Sequence, residues 1–195
     1  REEHGENVRV LEPSCGSGAF ATALAERLGT KDAVLCLELN PITAAGVRAK
    51  GFEVQEVDFL QWRTDERFPI IVMNPPFDKK TWCKHLEHAM GFLAPLGRLI
   101  CIAPKSVYMV SSPRDAEFLT KLLTWGTIEE NDKKAFSESG TDIDTVTIFF
   151  ENEAPVRRET CNYPSYDAFT FDTTIDSKQR DQIDACLLKI IETLG

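Results

Sequence analysis

The chain predicts an α/β fold: a doubly wound, mostly parallel seven-stranded sheet with helices on both faces and a C-terminal antiparallel hairpin. Three observations carry that prediction. Short apolar runs alternate along the chain with stretches of helical period. The runs are continuously apolar rather than alternating in polarity, as strands covered on both faces must be. The last two runs follow one another with no helix between them, which closes the sheet as a hairpin.

Each element has its own signal. Val8 to Leu11 reads as the first strand, closed by Glu12-Pro13, and Ala19 to Leu28 as an Ala/Leu-rich helix stopped by Gly29. Ala33 to Leu39 is a buried strand; Asn40-Pro41 then supplies a cap and first turn for a helix over Ile42 to Lys50, ended by Gly51. Phe52 to Val57 and Phe68 to Met73 are the third and fourth strands. Thr81 to Leu93 has helical character and ends near Pro95 and Gly97. Arg98 to Ala103 is the fifth strand, and Ser112-Pro113 starts a helix over Arg114 to Leu123. Gly126 to Phe136 and Ile143 to Phe150 form the hairpin, with Gly140 in its turn. Residues 1–150 therefore read as one domain and 151–195 as an extension. In that extension Ile183, Leu187 and Ile190 give Ser177 to Leu194 the spacing of an amphipathic helix, packed on the domain or on a neighbour, a homodimer partner included.

Composition narrows the class. With 195 residues and 43% hydrophobic content the chain has room for one full core. No apolar run is long enough to span a membrane, and no signal peptide opens the chain, so a cytoplasmic setting is expected. The six cysteines are dispersed without a C-x-x-C pair, which reads as free thiols in a reducing compartment and as no metal site. A net charge of −9 lacks the basic footprint of an autonomous nucleic-acid binder. It leaves room for a local basic strip or a partner that supplies affinity. The first residue is Arg1, so the expectation is a chain that starts partway into a longer protein.

Two motifs carry chemistry. Asn74-Pro75-Pro76-Phe77 follows the fourth strand. Two consecutive prolines cannot continue a strand or enter a helix, so they present an Asn amide, a rigid carbonyl and an aromatic face together. That set suits a planar molecule with an exocyclic amine. Glu12-Pro13-Ser14-Cys15-Gly16-Ser17-Gly18-Ala19-Phe20 joins the first strand to the first helix. Gly16 and Gly18 permit a sharp turn and close approach of a ligand, beside the unpaired amides of a helix N-terminus. With Ala21 the run also satisfies G-x-G-x-x-G/A, and Glu38 stands where an acid would grip ribose hydroxyls, so a nicotinamide enzyme is a rival on these residues. Glu12 tilts against it, because a carboxylate there repels pyrophosphate and favours a cationic sulfonium. Asp58-Phe59, after the third strand, offers an acceptor for an adenine amine and a ring beside it. Solvation of Glu38 and helix capping by Asp58 are the bland alternatives.

Together these motifs resemble the S-adenosylmethionine-dependent N(6)-adenine DNA methyltransferases of the N-P-P-F type, over roughly Val8 to Phe150. The resemblance implies a class I, Rossmann-like methyltransferase with S-adenosylmethionine as cofactor and S-adenosylhomocysteine as product. It places Glu12 and Pro13 near the methionine end, and Gly16, Gly18 and Phe20 in the cofactor loop. Glu38 and Leu39 fall at the ribose, and Asp58 and Phe59 at the cofactor's adenine. Asn74 and the Pro75 carbonyl take the target amine, Asn74 also bordering the cofactor, and Phe77 stacks on the target base. Phe136 to Asp142 occupies the place of a later motif near the target. The implied partner is nucleic acid, DNA before RNA, bound weakly without a further recognition segment or subunit, since the connections are short. RNA adenine methylation and a silent cofactor-binding scaffold are the alternatives. No general base is needed, because the acceptors localise the nitrogen lone pair. His85 and His88 therefore read as surface or capping residues.

Overall fold

The computed structural model describes residues 8–131 and 143–152. It contains β1 (Val10–Pro13), α1 (Ala19–Leu28), β2 (Val34–Glu38), α2 (Pro41–Ala49) and β3 (Glu53–Glu56). There follow β4 (Phe68–Met73), α3 (Thr81–Met90), β5 (Leu93–Pro104), α4 (Pro113–Trp125), β6 (Gly126–Glu130) and β7 (Thr145–Glu151). Short 3₁₀ turns lie at Phe59–Gln61, Asp78–Lys80 and Lys105–Tyr108.

The seven strands form one sheet in the order β3-β2-β1-β4-β5-β7-β6. Strands β1 to β5 pair in parallel, and β7 lies antiparallel between β5 and β6. This is the Rossmann-like, doubly wound arrangement, with its change of direction between β1 and β4. Successive strand residues alternate between two cores. Leu11, Leu35, Leu37, Ile71, Met73 and Leu99 pack with Trp82, Leu86 and Ala89 of α3 and Leu122 of α4. Val10, Val34, Cys36, Ile70, Val72 and Ile100 pack with Phe20, Ala21 and Leu24 of α1 and Val47 of α2 on the other face. Helices therefore cover both faces, and the central strands are apolar but for Glu12 of β1 and Arg98 of β5, because neither face meets water.

The caps behave as their chemistry dictates. The Asn40 side chain accepts from the amides of Ile42 and Thr43, with Pro41 in the first turn, and Ser112 accepts from Asp115. Most ends fall within two residues of the sequence reading, and the differences with a structural reason are these. Strand β1 runs through Glu12-Pro13 instead of closing before them, because Glu12 pairs with Cys36 and Pro13 with Leu37. Helix α3 stops at Met90 and β5 begins at Leu93, so Pro95 and Gly97 lie inside a strand. A register shift opposite Phe68 and Ile70 absorbs them, with Leu96 at φ 60°. Strand β6 ends at Glu130. The extension from 153 onward and the segment 132–142, including the motif at Phe136 to Asp142, lie outside the described residues. No helix among the described residues is long and apolar enough to cross a membrane.

Candidate active site

Parallel strands end together, so the loops after β1, β2, β3 and β4 converge on one edge of the sheet. They enclose a cavity of about 970 Å³ lined by Ser14, Leu37 to Leu39, Val57 to Leu60 and Asn74 to Asp78, with Thr81, His85 and Ile143. Of the residues singled out in the sequence, Glu38, Leu39, Asp58, Phe59, Asn74, Pro75 and Phe77 are all on this wall.

Of the loop after β1 only Ser14 lines the cavity; Gly16 and Gly18 stand off its wall. The Cys15 amide donates to the Leu37 carbonyl at 3.0 Å, which folds the loop back over β2. Gly16, at φ 51°, donates its amide to Glu38 Oε2 at 2.9 Å, and a side chain on it would meet no atom within 4 Å. Gly18, at φ 78°, is needed for a different reason: an added Cβ would stand 3.2 Å from both Val47 methyls. Only Gly16 therefore faces open space. Gly18 lets α1 approach α2, and Phe20 is buried in the core behind the loop.

Glu12 is also behind the loop. It is 3% exposed, off the cavity wall, and its Oε2 accepts from the Cys36 thiol at 3.8 Å. Burial pushes its carboxyl well above the usual carboxylate range, and the nearby Cys15 adds to the rise. Pro13 is buried beside Leu37 in the sheet.

On the β2 and β3 side both carboxylates are engaged with their own backbone. Glu38 Oε1 accepts from the Asn40 amide at 2.8 Å, besides the bond from Gly16. Asp58 caps the following turn, accepting from the Leu60 amide at 3.0 Å and the Gln61 side chain at 3.1 Å. The capping expectation for Asp58 thus holds beside its place on the cavity wall. Leu39, 65% exposed, offers the cavity a free apolar face. Phe59 is buried, with its ring centroid 5.5 Å from that of His85 and 4.8 Å from that of His88.

After β4 the wall changes character. Pro75 is buried, Phe77 is partly buried against both cores, and Asn74 is half-buried. Among the described residues the Asn74 carboxamide has no hydrogen-bond partner.

Of the two histidines, the structure corrects His85. His85 is buried, lines the cavity and places Nδ1 3.4 Å from Ser14 Oγ. Burial lowers its pKa, opposed by Asp58, so the neutral ring is favoured at neutral pH. His88 Nε2 lies 3.2 Å from the Trp62 carbonyl, and its ring packs edge-on against Phe92. His85 is interior because α3 presents it to the aromatic cluster beneath the loop after β3, whereas His88 is only half-buried at the rim of that cluster and keeps the capping character expected of it. Sequence reasoning also missed Ser14, which sits at φ 141°, and Thr81. The four-residue step from Thr81 to His85 on a helix that follows the tetrapeptide was the available signal for Thr81 and His85; no pattern on α3 points to Ser14.

These residues fit S-adenosylmethionine. Gly16 leaves space for close approach, Glu38 and Asp58 retain acceptor lone pairs at successive strand ends, and Leu39 and Leu60 supply apolar faces. Among the described residues no group of three or more His, Cys, Asp or Glu side chains could hold a metal.

Comparison with known proteins agrees with the fold. A type II methyltransferase, M.CvrRI, of Paramecium bursaria Chlorella virus XZ-6E is 34% identical over 82 residues, covering 41% of this chain and 21% of the relative. The tRNA1(Val) (adenine(37)-N6)-methyltransferase of Haemophilus influenzae is 32% identical over 101 residues, covering 46% of this chain and 42% of the relative. The chain thus matches less than half the length of each of these relatives. A class I S-adenosylmethionine-dependent methyltransferase structure from Listeria monocytogenes, described as putative, superimposes with a TM-score of 0.61 at 14% identity, over 98% of this chain and 66% of that one. The N-methyltransferase NodS of Bradyrhizobium japonicum, in complex with S-adenosyl-L-homocysteine, gives a TM-score of 0.52 at 20% identity over 74% and 77% of the two chains. Residues 2–121 match the methyltransferase small domain, and the chain belongs to that family of S-adenosylmethionine-dependent methyltransferases.

Proposed function

We propose that this chain transfers the methyl group of S-adenosylmethionine to the exocyclic amine of adenine in DNA, releasing S-adenosylhomocysteine. The observation that carries the reading is the sharing of one cavity by Asn74-Pro75-Pro76-Phe77 with Glu38 and Asp58. The bound cofactor supplies an activated sulfonium methyl. The chain's own residues do the rest. Glu38 accepts the ribose hydroxyls and Asp58 the cofactor's amine. Asn74 and the Pro75 carbonyl accept both N–H bonds of the target amine, which localises its lone pair and stabilises the charge developing on nitrogen. Phe77 stacks on a base taken out of the helix, in partial compensation for unstacking.

Methylation of an RNA adenine is the second reading, supported by the tRNA-modifying relative at 32% identity. Incorporation of tritiated methyl into single-stranded DNA, duplex DNA and RNA of matched sequence tests both. Label on adenine N6 in DNA supports the first reading, and label in RNA alone replaces it with the second. A chain that is stabilised by S-adenosylhomocysteine yet labels none of them is a silent scaffold, since ligand linkage reports binding without turnover.

A further inference from the structure

We propose that the turn Asp78–Lys80 and the segment Tyr108–Ser111 form one lip that docks single-stranded DNA beside the cavity, with a phosphate at Lys79 and a neighbouring base on Tyr108 and Met109. The inference rests on the function proposed above.

The first observation is backbone conformation. Lys79 and Lys80 follow the tetrapeptide directly and stand at φ 47° and φ 60°. Two consecutive non-glycine residues in the left-handed region are costly, and such strain persists only where surrounding contacts hold it. Here the holding contacts come from the second segment. Lys80 Nζ donates to Ser111 Oγ and to Asp115 Oδ2, both at 3.0 Å. The Ser111 amide and hydroxyl also donate to Asp115 Oδ2, at 2.9 and 2.6 Å. The loop after β4 and the loop after β5 are therefore fastened together at the cavity's edge.

The second observation is charge. Asp78 lines the cavity whereas neither lysine does, so the turn separates that carboxylate from the ammonium groups. Lys80 is committed to Asp115. Lys79 is exposed and, among the described residues, has no ion-pair or hydrogen-bond partner; Lys84, one turn further along α3, is likewise exposed and unpaired. On a chain of net charge −9, unpaired cations flanking the target side of the cavity match a polyanionic strand.

The third observation is exposed apolar surface in the same place. Tyr108, Met109 and Val110 are consecutive and 41%, 72% and 49% exposed. Ile143, 53% exposed, lines the cavity, and the Lys105 amide donates to the Asp144 carbonyl at 2.8 Å, which ties its neighbour to the root of this segment. An apolar strip thus leads from the cavity to the fastened lysine turn. Cations beside an aromatic and aliphatic platform are what a single strand requires: charge for the backbone and a face for each unstacked base.

The test uses the whole chain with S-adenosylhomocysteine present and a short, fluorescein-labelled, adenine-containing single-stranded DNA titrated at several KCl concentrations. Lys79→Gly tolerates the left-handed backbone while removing the ammonium. It should weaken binding several-fold and reduce the salt slope by about 0.7, the value of one phosphate contact on a single strand; Lys79→Arg should restore both. Tyr108→Ser with Met109→Ser should weaken binding about tenfold with the salt slope unchanged. None of these variants should alter the thermal shift given by S-adenosylhomocysteine. A wild-type slope in Lys79→Gly, unchanged affinity in the double variant, or binding of the matching RNA but not the DNA would each overturn the lip. The two proposals fail separately. Wild-type label on DNA adenine with unaltered variant KM and salt slope removes the lip alone, whereas binding without any label removes the function.

Discussion

The two halves of the cavity wall are built on opposite principles. On the β2 and β3 side, each carboxylate of the wall already holds two hydrogen bonds from the chain: Glu38 from Gly16 and Asn40, Asp58 from Leu60 and Gln61. On the β4 side, Asn74 lines the same cavity with its carboxamide free among the described residues. The difference teaches where orientation energy is stored. The half proposed to hold the cofactor is set by internal bonds before any ligand arrives, and a fixed carboxylate needs no reorganisation to accept a hydroxyl or an amine. The half proposed to hold the target relies on proline-locked backbone, which orders the acceptors without occupying them. A buried or half-buried amide left free is costly until a donor comes, which makes it selective for one.

The largest effect should follow from removing that free amide. Asn74→Ala takes away one preorganised acceptor for the developing positive charge, and a loss of about 10²–10³ in methyl transfer is expected. The thermal shift given by S-adenosylhomocysteine should stay near the wild-type value, because Glu38, Asp58 and the glycine loop are untouched. Equal loss of turnover and cofactor binding would erase the distinction between the halves.

A smaller, mixed effect belongs to Asp58. Asp58→Ala removes a cap as well as a ligand acceptor, so cofactor affinity should fall about tenfold and stability by about 1 kcal/mol. Asp58→Asn keeps an oxygen for the Leu60 amide and should recover the melting temperature. Calorimetric titration with S-adenosylhomocysteine beside thermal melts of both variants separates the roles. If affinity is unchanged in Asp58→Ala, the residue only caps its turn.

What was legible in the chain follows the range of the interactions. Asn40-Pro41 and Ser112-Pro113 announced their helices because a cap is a contact between neighbours in sequence. The Phe68–Met73 strand was legible because burial on both faces leaves no polar residue in it. The stretch from Leu93 to Gly97 was not. Pro95 and Gly97 read as breakers, yet Asn152 holds them in a strand: its side chain donates to the carbonyls of Leu93 and Ala94, and its backbone exchanges bonds with Leu96 and Gly97. That partner lies more than fifty residues away, and no local pattern reveals it. Gly97 is also required by crowding, since a Cβ there would approach the Ala94 carbonyl oxygen at 2.9 Å. The candidate site divides in the same way. Residues at strand ends were found from motif spacing. His85 was misread because its burial depends on Phe59 and Ser14, both brought from loops after other strands.

The finest distinction concerns Glu12, which the sequence placed beside a cationic cofactor and the structure places behind the loop. Burial first, and Cys15 second, raise its carboxyl well above the usual range, so the folded chain binds this proton more firmly than the unfolded chain does. Stability therefore falls with rising pH over the interval where the unfolded chain has lost the proton and the folded chain still holds it. The contribution is fully present below the ordinary carboxylate value and is lost as pH climbs through the raised one. Glu12→Gln cannot ionise, so the variant and wild type should melt alike in acid and diverge as pH increases, the variant becoming the more stable. Melting temperatures from about pH 4 to about pH 8 measure this, starting near the ordinary Glu value. Parallel curves would mean that Glu12 is already ionised in the fold. The same variant sharpens the contrast between the halves: a neutral Glu12 serves the loop, and Glu12→Gln should keep its affinity for S-adenosylmethionine. A selective loss for the sulfonium, with S-adenosylhomocysteine unaffected, would show instead that a charge behind the loop is felt in the cavity.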